Sequence, residues 1–314
     1  MSKVAVLMGG TSAERAVSLE TGASIACALR ELGHEVVEVD SGPDLAAKLM
    51  EAGPEVAFMA LHGRGGEDGT VQGLLEIMRI PYTGCGVFSS AATMDKVITK
   101  YLLDYHGVPV APDRVFTAGD LSSAASIVSE ELSFPVMVKP ACEGSSIGVS
   151  RADDAVALNS ALRDVFERDD RALVEKFVDG RLFTIGVLGI GELVLPVLEI
   201  KMSDGFYDFD AKYSPGRSTY EVPAALPEEA SQYMQAMALD AFHALQCRGI
   251  SRIDFMQDSS SGDIFCLEIN TIPGMTALSL IPMAAEAAGI DFKHVVSMVL
   301  DSASLKVDTC GGPL

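Results

Sequence analysis

The chain has 314 residues, 48% of them hydrophobic, and a formal net charge of −21. That length can build two or three packed lobes, and that charge excludes nonspecific nucleic-acid binding and attraction to anionic membrane surfaces. Any bound anion must be held by a few well-placed Lys and Arg side chains. The six cysteines show no CxxC or paired spacing, which fits reduced, mostly buried thiols and a cytoplasmic location. The chain enters a strand at once, with no charged-then-apolar leader pattern, and no apolar run reaches transmembrane length.

Residues 3–8 (KVAVLM) read as a buried strand, Gly9 to Ser12 as a loop, and a helix follows from about Ser12 with Glu14 in its first turn. Strands at 34–40 and 56–62 flank a helix near 44–52. Alternating strands and helices predict a parallel, doubly wound sheet. The GGTS loop sits where such sheets bind ligands, but it is not GxGxxG, so a dinucleotide site is not supported. His62 ends the third strand and enters a Gly-rich loop at 63–69; a His there can serve structure or catalysis. Residues 81–86 (PYTGCG) read as a passage between lobes. Ser89 to Tyr105 reads as helical and carries Lys96.

A second α/β unit follows, with a helix at about 120–131 and a strand at 134–140 that includes Lys139. The loop at 143–149 contains Ser145 and Ser146. Such a loop can fold over phosphates, offering backbone N–H groups while a Lys supplies charge. It lacks the Walker pattern GxxxxGK[ST]. Residues 172–180 (ALVEKFVDG) read as a strand carrying Glu175 and Lys176, followed by the strands FTIGVLGIG and LVLPVLEIK. A long polar loop, SDGFYDFDAKYSPGRSTYEVP, holds Lys212 and Tyr213; loops of that length inside a compact domain are usually functional. The helix at about 227–247 carries a core stripe of Met, Ala, Leu and Phe, and the tail from Ser302 reads as loosely structured.

The segment Gly249 to Gly274 parses as two alternating strands around the turn DSSSGD. Symmetry about Ser261 sets Asp254 opposite Glu268 and Arg252 opposite Asn270. With a period of two, all four project from one face, leaving Ile253, Phe255, Ile264, Leu267 and Ile269 for the other face or the strand ends. Directly opposed carboxylates repel, so a cation between them is one reading. Oxygen ligands without His or Cys suit magnesium, which takes one or two carboxylates plus substrate phosphates. The other reading is an exposed polar face on which Arg252 balances the acids.

Nine motifs now stand in order: GGTSAERAVSLETG, LHGRGGEDGTVQG, PYTGCGV, MDK, VKPACEGSSIGV, VEKFVDG, FYDFDAKY, SRIDFM and LEINTIPGMT. Together they resemble the D-alanine–D-alanine ligase family of the ATP-grasp superfamily, over residues 3 to about 300. The resemblance implies an α/β chain with an N-terminal doubly wound parallel sheet (1–88, a pre-ATP-grasp, Rossmann-like substrate domain) and a two-lobed ATP-grasp fold (89–182 and 183–314). It implies that ATP phosphorylates the carboxylate of one D-alanine, that the amine of a second attacks the acyl phosphate, and that the product serves peptidoglycan synthesis. A homodimer, and no membrane or nucleic-acid partner, are also implied.

By the same resemblance Asp254, Glu268 and Asn270 hold two magnesium ions, with manganese able to substitute. Lys96, Lys139 and Lys212 hold phosphates, under a cover formed by Ser145 to Gly148. Arg252 and the N–H of Gly274 form the oxyanion site. Glu14 takes the ammonium of the first D-alanine with His62 nearby, while Ser279 and the N–H of Leu280 take the second carboxylate. Glu14, Ser145 and Tyr213 form a triad across the closed site. Glu175, Lys176, Phe177 and Val178 supply the adenine pocket, with Met256 and Leu267 packing on the ring or serving as ordinary core. One departure stands out. Where the family places a ribose-binding glutamate, seven residues beyond the Glu of VEKF, this chain has Leu182. Weaker ATP binding, a substitute acceptor such as Asp179, or relaxed nucleotide choice could follow; the intact phosphate and metal ligands favour the first. The rival readings are a ligase with D-serine or D-lactate as acceptor, and a nonenzymatic binder on the same fold. The presence of Arg252, Asp254, Glu268 and Asn270 speaks against the second.

Overall fold

The structure, a computed structural model, describes residues 1–144, 147–189, 191–202, 218–276 and 279–306. Three sheets organise the chain. The first is parallel: β1 (Lys3–Gly9) lies between β2 (Glu35–Ser41) and β3 (Val56–Met59). Every residue from Val4 to Met8 is buried, as a strand covered on both faces requires. The helix Arg15–Glu31 packs on one side through Ile25, Ala26 and Leu29, and Leu45 and Leu49 of the helix Leu45–Ala52 pack on the other. The third strand is shorter than expected, and residues 60–62 continue from it as the loop that carries His62 into the site.

Ser89 to Tyr105 is not one helix. Two helices, Val87–Met94 and Lys96–Tyr105, break at Asp95. Asp95 adopts extended backbone, and its carboxylate accepts the N–H groups of Val97 and Ile98, capping the second helix. Lys96 is therefore the first residue of a new helix.

The second sheet is antiparallel, in the order β4 (Asp113–Phe116), β7 (Ala172–Lys176), β5 (Val136–Pro140), β6 (Ser150–Ala152). Period two divides its residues cleanly. Val136, Val138, Ala172 and Val174 pack under the helices Ala124–Glu131 and Ala155–Phe166. Met137, Lys139 and Glu175 project from the opposite face.

The third sheet runs β11 (Ser218–Glu221), β10 (Leu198–Met202), β8 (Gly180–Leu188), β12 (Ile250–Asp258), β13 (Ile264–Asn270), with β9 (Leu193–Val194) paired to β8. One face, with Phe183, Ile185, Ile253, Phe255 and Ile269, packs on Met234, Met237, Ala238, Ala241 and Phe242 of the helix Glu228–Ala244. At the start of β8 a Cβ on Gly180 would lie 1.7 Å from the carbonyl oxygen of Gln257, so the close approach of β8 to β12 there admits only glycine.

The hairpin register matches the symmetric reading where the chemistry lies: Arg252 pairs with Asn270 and Asp254 with Glu268. Beyond Asp254 it shifts by one residue, so that Phe255 pairs with Cys266 and Met256 with Phe265. A bulge at this point reverses the alternation. Cys266 turns into the core, and Leu267, expected on the core face or at a strand end, joins Leu182, Met256 and Ile200 instead. The tail is less loose than expected as far as 306: Ser304 bridges to Tyr82, Arg248 bonds Ser304, and Leu305 is buried.

Candidate active site

The exposed faces of the second and third sheets confront each other across a cavity of about 460 Å³. Met137, Lys139, Glu175, Lys176, Phe177 and Val178 line it from one side, and Leu182, Ile200, Asp254, Met256, Leu267 and Glu268 from the other. Its lining joins an apolar patch, where Met256 and Leu267 meet Leu182, to the charged groups of Lys139, Asp254 and Glu268. A flat apolar ring with an anionic tail fits that lining.

Lys139 is fixed by Glu175, whose second oxygen accepts from Lys100 at 2.6 Å. Lys100 also pairs with Asp113 at 2.9 Å and donates to the carbonyl of Ala111. Burial alone would raise the Glu175 carboxyl, but Lys139 and Lys100 outweigh it and hold the group at about 2. Burial likewise works against the Lys139 ammonium, yet Glu175 and Glu268 raise its pKa. Both of Glu175's oxygens are thus engaged by lysines, so it acts on the cavity through Lys139.

A second cavity of about 300 Å³ opens where the first sheet's loops meet the hairpin. Glu14, His62, Glu67, Lys96, Arg252, Glu268, Asn270, Gly274, Ser279 and Leu280 line it. Lys96 and Glu268 border both cavities. The loops are positioned by close approach. Gly63 has φ +68°, and a Cβ on it would lie 2.7 Å from Glu14 Oε2. The same oxygen would lie 3.4 Å from a Cβ on Gly144, so the Glu14 carboxylate sits where the loops at 63 and 144 converge. The His62 ring contacts the Thr21 hydroxyl at 3.2 Å. Its burial outweighs the pull of Glu14 and lowers its pKa, which keeps the imidazole neutral at pH 7. Ser279 stands at the N-cap position of the helix Leu280–Ala287, and its hydroxyl turns back to accept the Thr276 N–H at 3.0 Å and to meet the Thr276 hydroxyl at 2.9 Å. A Cβ on Gly274 would press to 3.0 Å from the Ser279 hydroxyl.

On the hairpin face Arg252 grips Asp254 through two bonds of 2.9 and 2.8 Å. Asp254 also accepts from the Thr184 hydroxyl at 2.6 Å and the Asn270 amide at 3.3 Å. Arg252 therefore balances one acid directly. Among the described residues no group of three or more His, Cys, Asp or Glu side chains forms a metal centre. The available set is two carboxylates and an amide, all oxygen donors facing the junction of the cavities. That set fits a hard divalent cation which completes its shell with phosphate oxygens and water.

Ser145, Ser146, Lys212 and Tyr213 lie outside the described residues, so the triad is represented here by Glu14 alone. Two participants went unread in the sequence. Glu67 accepts the Gly63 N–H at 2.8 Å and the Ile272 N–H at 3.1 Å, tying the first sheet's loop to the segment that ends at Gly274. Burial, with Glu14 nearby, raises its carboxyl to about 8. Its partner lies 205 residues away, which no local pattern reveals. Lys100 had a signal: it stands four residues after Lys96, on the buried side of its helix with Val97 and Leu103.

Known proteins resemble this chain in sequence and fold. The family model described as D-ala D-ala ligase C-terminus matches residues 102–301, and that for the D-ala D-ala ligase N-terminus matches 41–85. A D-alanine–D-alanine ligase of Syntrophotalea carbinolica is 48% identical over 304 residues, covering 97% of each chain. One from Desulforudis audaxviator is 47% identical, covering 94% of this chain and 96% of its own. The crystal structure of a D-alanine–D-alanine ligase from Bacillus anthracis complexed with ATP superposes with a TM-score of 0.84 at 35% identity, covering 99% of both chains. The VanG D-Ala:D-Ser ligase from Enterococcus faecalis superposes with a TM-score of 0.81 at 30% identity, covering 95% of this chain and 98% of its own.

Proposed function

The chain belongs to the D-alanine–D-alanine ligase family, and from that premise we propose how its residues divide the reaction. The enzyme joins two D-alanines at the expense of ATP, through a D-alanyl phosphate. We assign ATP to the cavity between the second and third sheets and D-alanine to the cavity at the first sheet's loops. The observation that carries this division is that Lys96 and Glu268 border both cavities, which is where a phosphoryl group must cross.

In this reading the apolar wall of Met256 and Leu267 takes the adenine ring, with Lys176, Phe177 and Val178 along its edge. Lys139 and Lys96 draw the triphosphate to the junction. Glu14 and neutral His62 orient the first D-alanine so that its carboxylate points at the transferred phosphoryl group. Positioning and charge compensation supply most of the catalysis in phosphoryl transfer. Asp254, Glu268 and Asn270 would hold magnesium, which when bound neutralises charge on the phosphate oxygens. Arg252 and the N–H of Gly274 then meet the oxygen that becomes negative as the second amine attacks. Ser279 and the N–H of Leu280 hold the second carboxylate at a helix N-terminus.

The lobe boundaries near 88 and 182, the homodimer and the cytoplasmic location belong to the same proposal. Three separate sheets support the three lobes. Among the described residues no helix is long and apolar enough to cross a membrane. Phosphate release measured with D-alanine, D-serine or D-lactate as acceptor tests the reading. Release with D-alanine, and dipeptide in equal amount, is expected; release only with another acceptor would overturn the D-alanine assignment.

A further inference from the structure

The loop 62–69 carries an exposed arginine that the reaction above leaves unused. Arg64 reaches from the first sheet's loop to the second sheet's connection at Cys142 and Glu143. Its guanidinium donates to the Cys142 carbonyl at 3.3 Å and pairs with the Glu143 carboxylate at 3.1 Å. Both ends of this contact are braced. The Glu67 carboxylate accepts the Gly63 N–H, and the Asp68 carboxylate accepts the Gly65 N–H at 2.7 Å. On the far side the Cys142 N–H donates to Asp169 at 2.7 Å, and the Glu143 carbonyl accepts from the Lys96 ammonium.

Glu143 and Gly144 border the same cavity as Glu14 and Lys96. The Arg64 contact therefore spans the two sides of that cavity, the loop beside Glu14 and the connection that meets Lys96. We propose that Arg64 is a positioning residue: by clasping Cys142 and Glu143 it holds the first sheet's loops against the phosphate-binding segment in the arrangement that binds D-alanine and ATP together. This rests on the ligase reading of the two cavities. Arg64 lines neither of the two cavities. It acts through Glu143 and Lys96, and its contribution is to the population of the assembled site.

The consequence is kinetic. A partly exposed, charge-assisted contact is worth a modest factor, so Arg64→Ala should raise KM for D-alanine and ATP by about two- to fivefold. It should leave kcat within about twofold, because saturating substrates restore the arrangement. Arg64→Lys should fall between the two enzymes. Glu143→Arg alone should be worse than Arg64→Ala, since it sets two cations face to face. The double variant Arg64→Glu with Glu143→Arg should recover most of that loss. Raising the salt concentration should increase KM for the wild type more than for Arg64→Ala. Unchanged KM in Arg64→Ala, or strictly additive losses in the double variant, would overturn the proposal. Wild-type turnover in the same assay tests the ligase reading separately: a wild type that makes the dipeptide beside an unaffected Arg64→Ala removes only the clasp.

Discussion

Removing the carboxylate of Glu175 gives the sharpest test of how the nucleotide cavity is built. Glu175→Gln keeps the shape of the side chain but leaves the ammonium groups of Lys100 and Lys139 facing a neutral amide. The residue is 4% exposed, so solvent screens little of the change. Its carboxyl is held at about 2 against an ordinary 4.5, a difference worth roughly 3 kcal/mol through linkage. Breaking a buried pair by removing one partner costs about 3–5 kcal/mol by general experience. The loss expected is thus on the order of 3 kcal/mol. The sign follows from the lowered carboxyl. The stabilisation is complete above the unfolded value near 4.5 and disappears as pH falls towards 2. Urea denaturation of the ligand-free enzyme at a series of pH values measures it directly. The wild type should exceed Glu175→Gln by a constant margin from pH 5 to 7, and the margin should shrink below pH 4.5. ATP should stabilise the variant more than the wild type, because phosphate then supplies the anion that Lys139 lacks. A loss below about 1 kcal/mol at neutral pH would refute the view that Glu175 holds the lysine pair.

Glu268→Ala should lower turnover by several orders of magnitude while leaving the thermal melt near that of the wild type; a variant keeping a tenth of normal turnover would sink the role assigned to it. Leu182 lies in an apolar cluster with Leu198, Ile200 and Leu280, and Glu199 on the adjacent strand is already clasped by Arg181 at 2.8 and 2.7 Å. The wild type should therefore accept 2′-deoxy-ATP almost as well as ATP. Leu182→Glu should tighten ATP by about tenfold or more and restore discrimination; strong rejection of the deoxy form by the wild type would point to a substitute acceptor such as Asp179. Glu67, raised to about 8, should make the wild type lose stability as pH climbs from 4.5 to 8. Glu67→Gln should flatten that slope in denaturation midpoints, and identical slopes would contradict it.

What could be read from the sequence depended on the reach of the pattern. The chemical half of the hairpin was legible because period two is local: once the turn was found, Asp254, Glu268, Arg252 and Asn270 had to share a face. The first sheet was legible for a different reason: residues 3–8 are a short apolar run closed by Gly9 and Gly10, the pattern of a strand covered on both faces. Asp95 shows the limit. Apolar residues on both sides suggested one continuous helix, whereas the capping ability of a single carboxylate decided for two. The passage from Gly63 through Glu67 to Ile272 was illegible on principle, because it joins backbone N–H groups that carry no side-chain signature. The grouping of Lys100, Lys139 and Glu175 needed the packing of a helix on two strands. Leu267 changed faces through the bulge, which alternation alone could not announce.

The bulge also bears on how such chains can vary in length. In a regular hairpin, adding or deleting one residue in the turn slips the register and flips every side chain beyond it. Here β12 is pinned on its other edge, with Arg252 opposite Gly186, Asp254 opposite Thr184 and Met256 opposite Leu182. That pairing does not depend on the turn at 259–263. A relative with one residue fewer between Asp258 and Glu268 could pair regularly throughout, without the bulge, and still set its acid opposite Asp254. Such a relative would lose the side chain that Leu267 adds to the apolar wall. The bulge thus separates the register at the carboxylates from the register at the turn, so that a change of one residue in length between them would reshape the ring pocket and leave the pairing of Asp254 with its opposed acid in place.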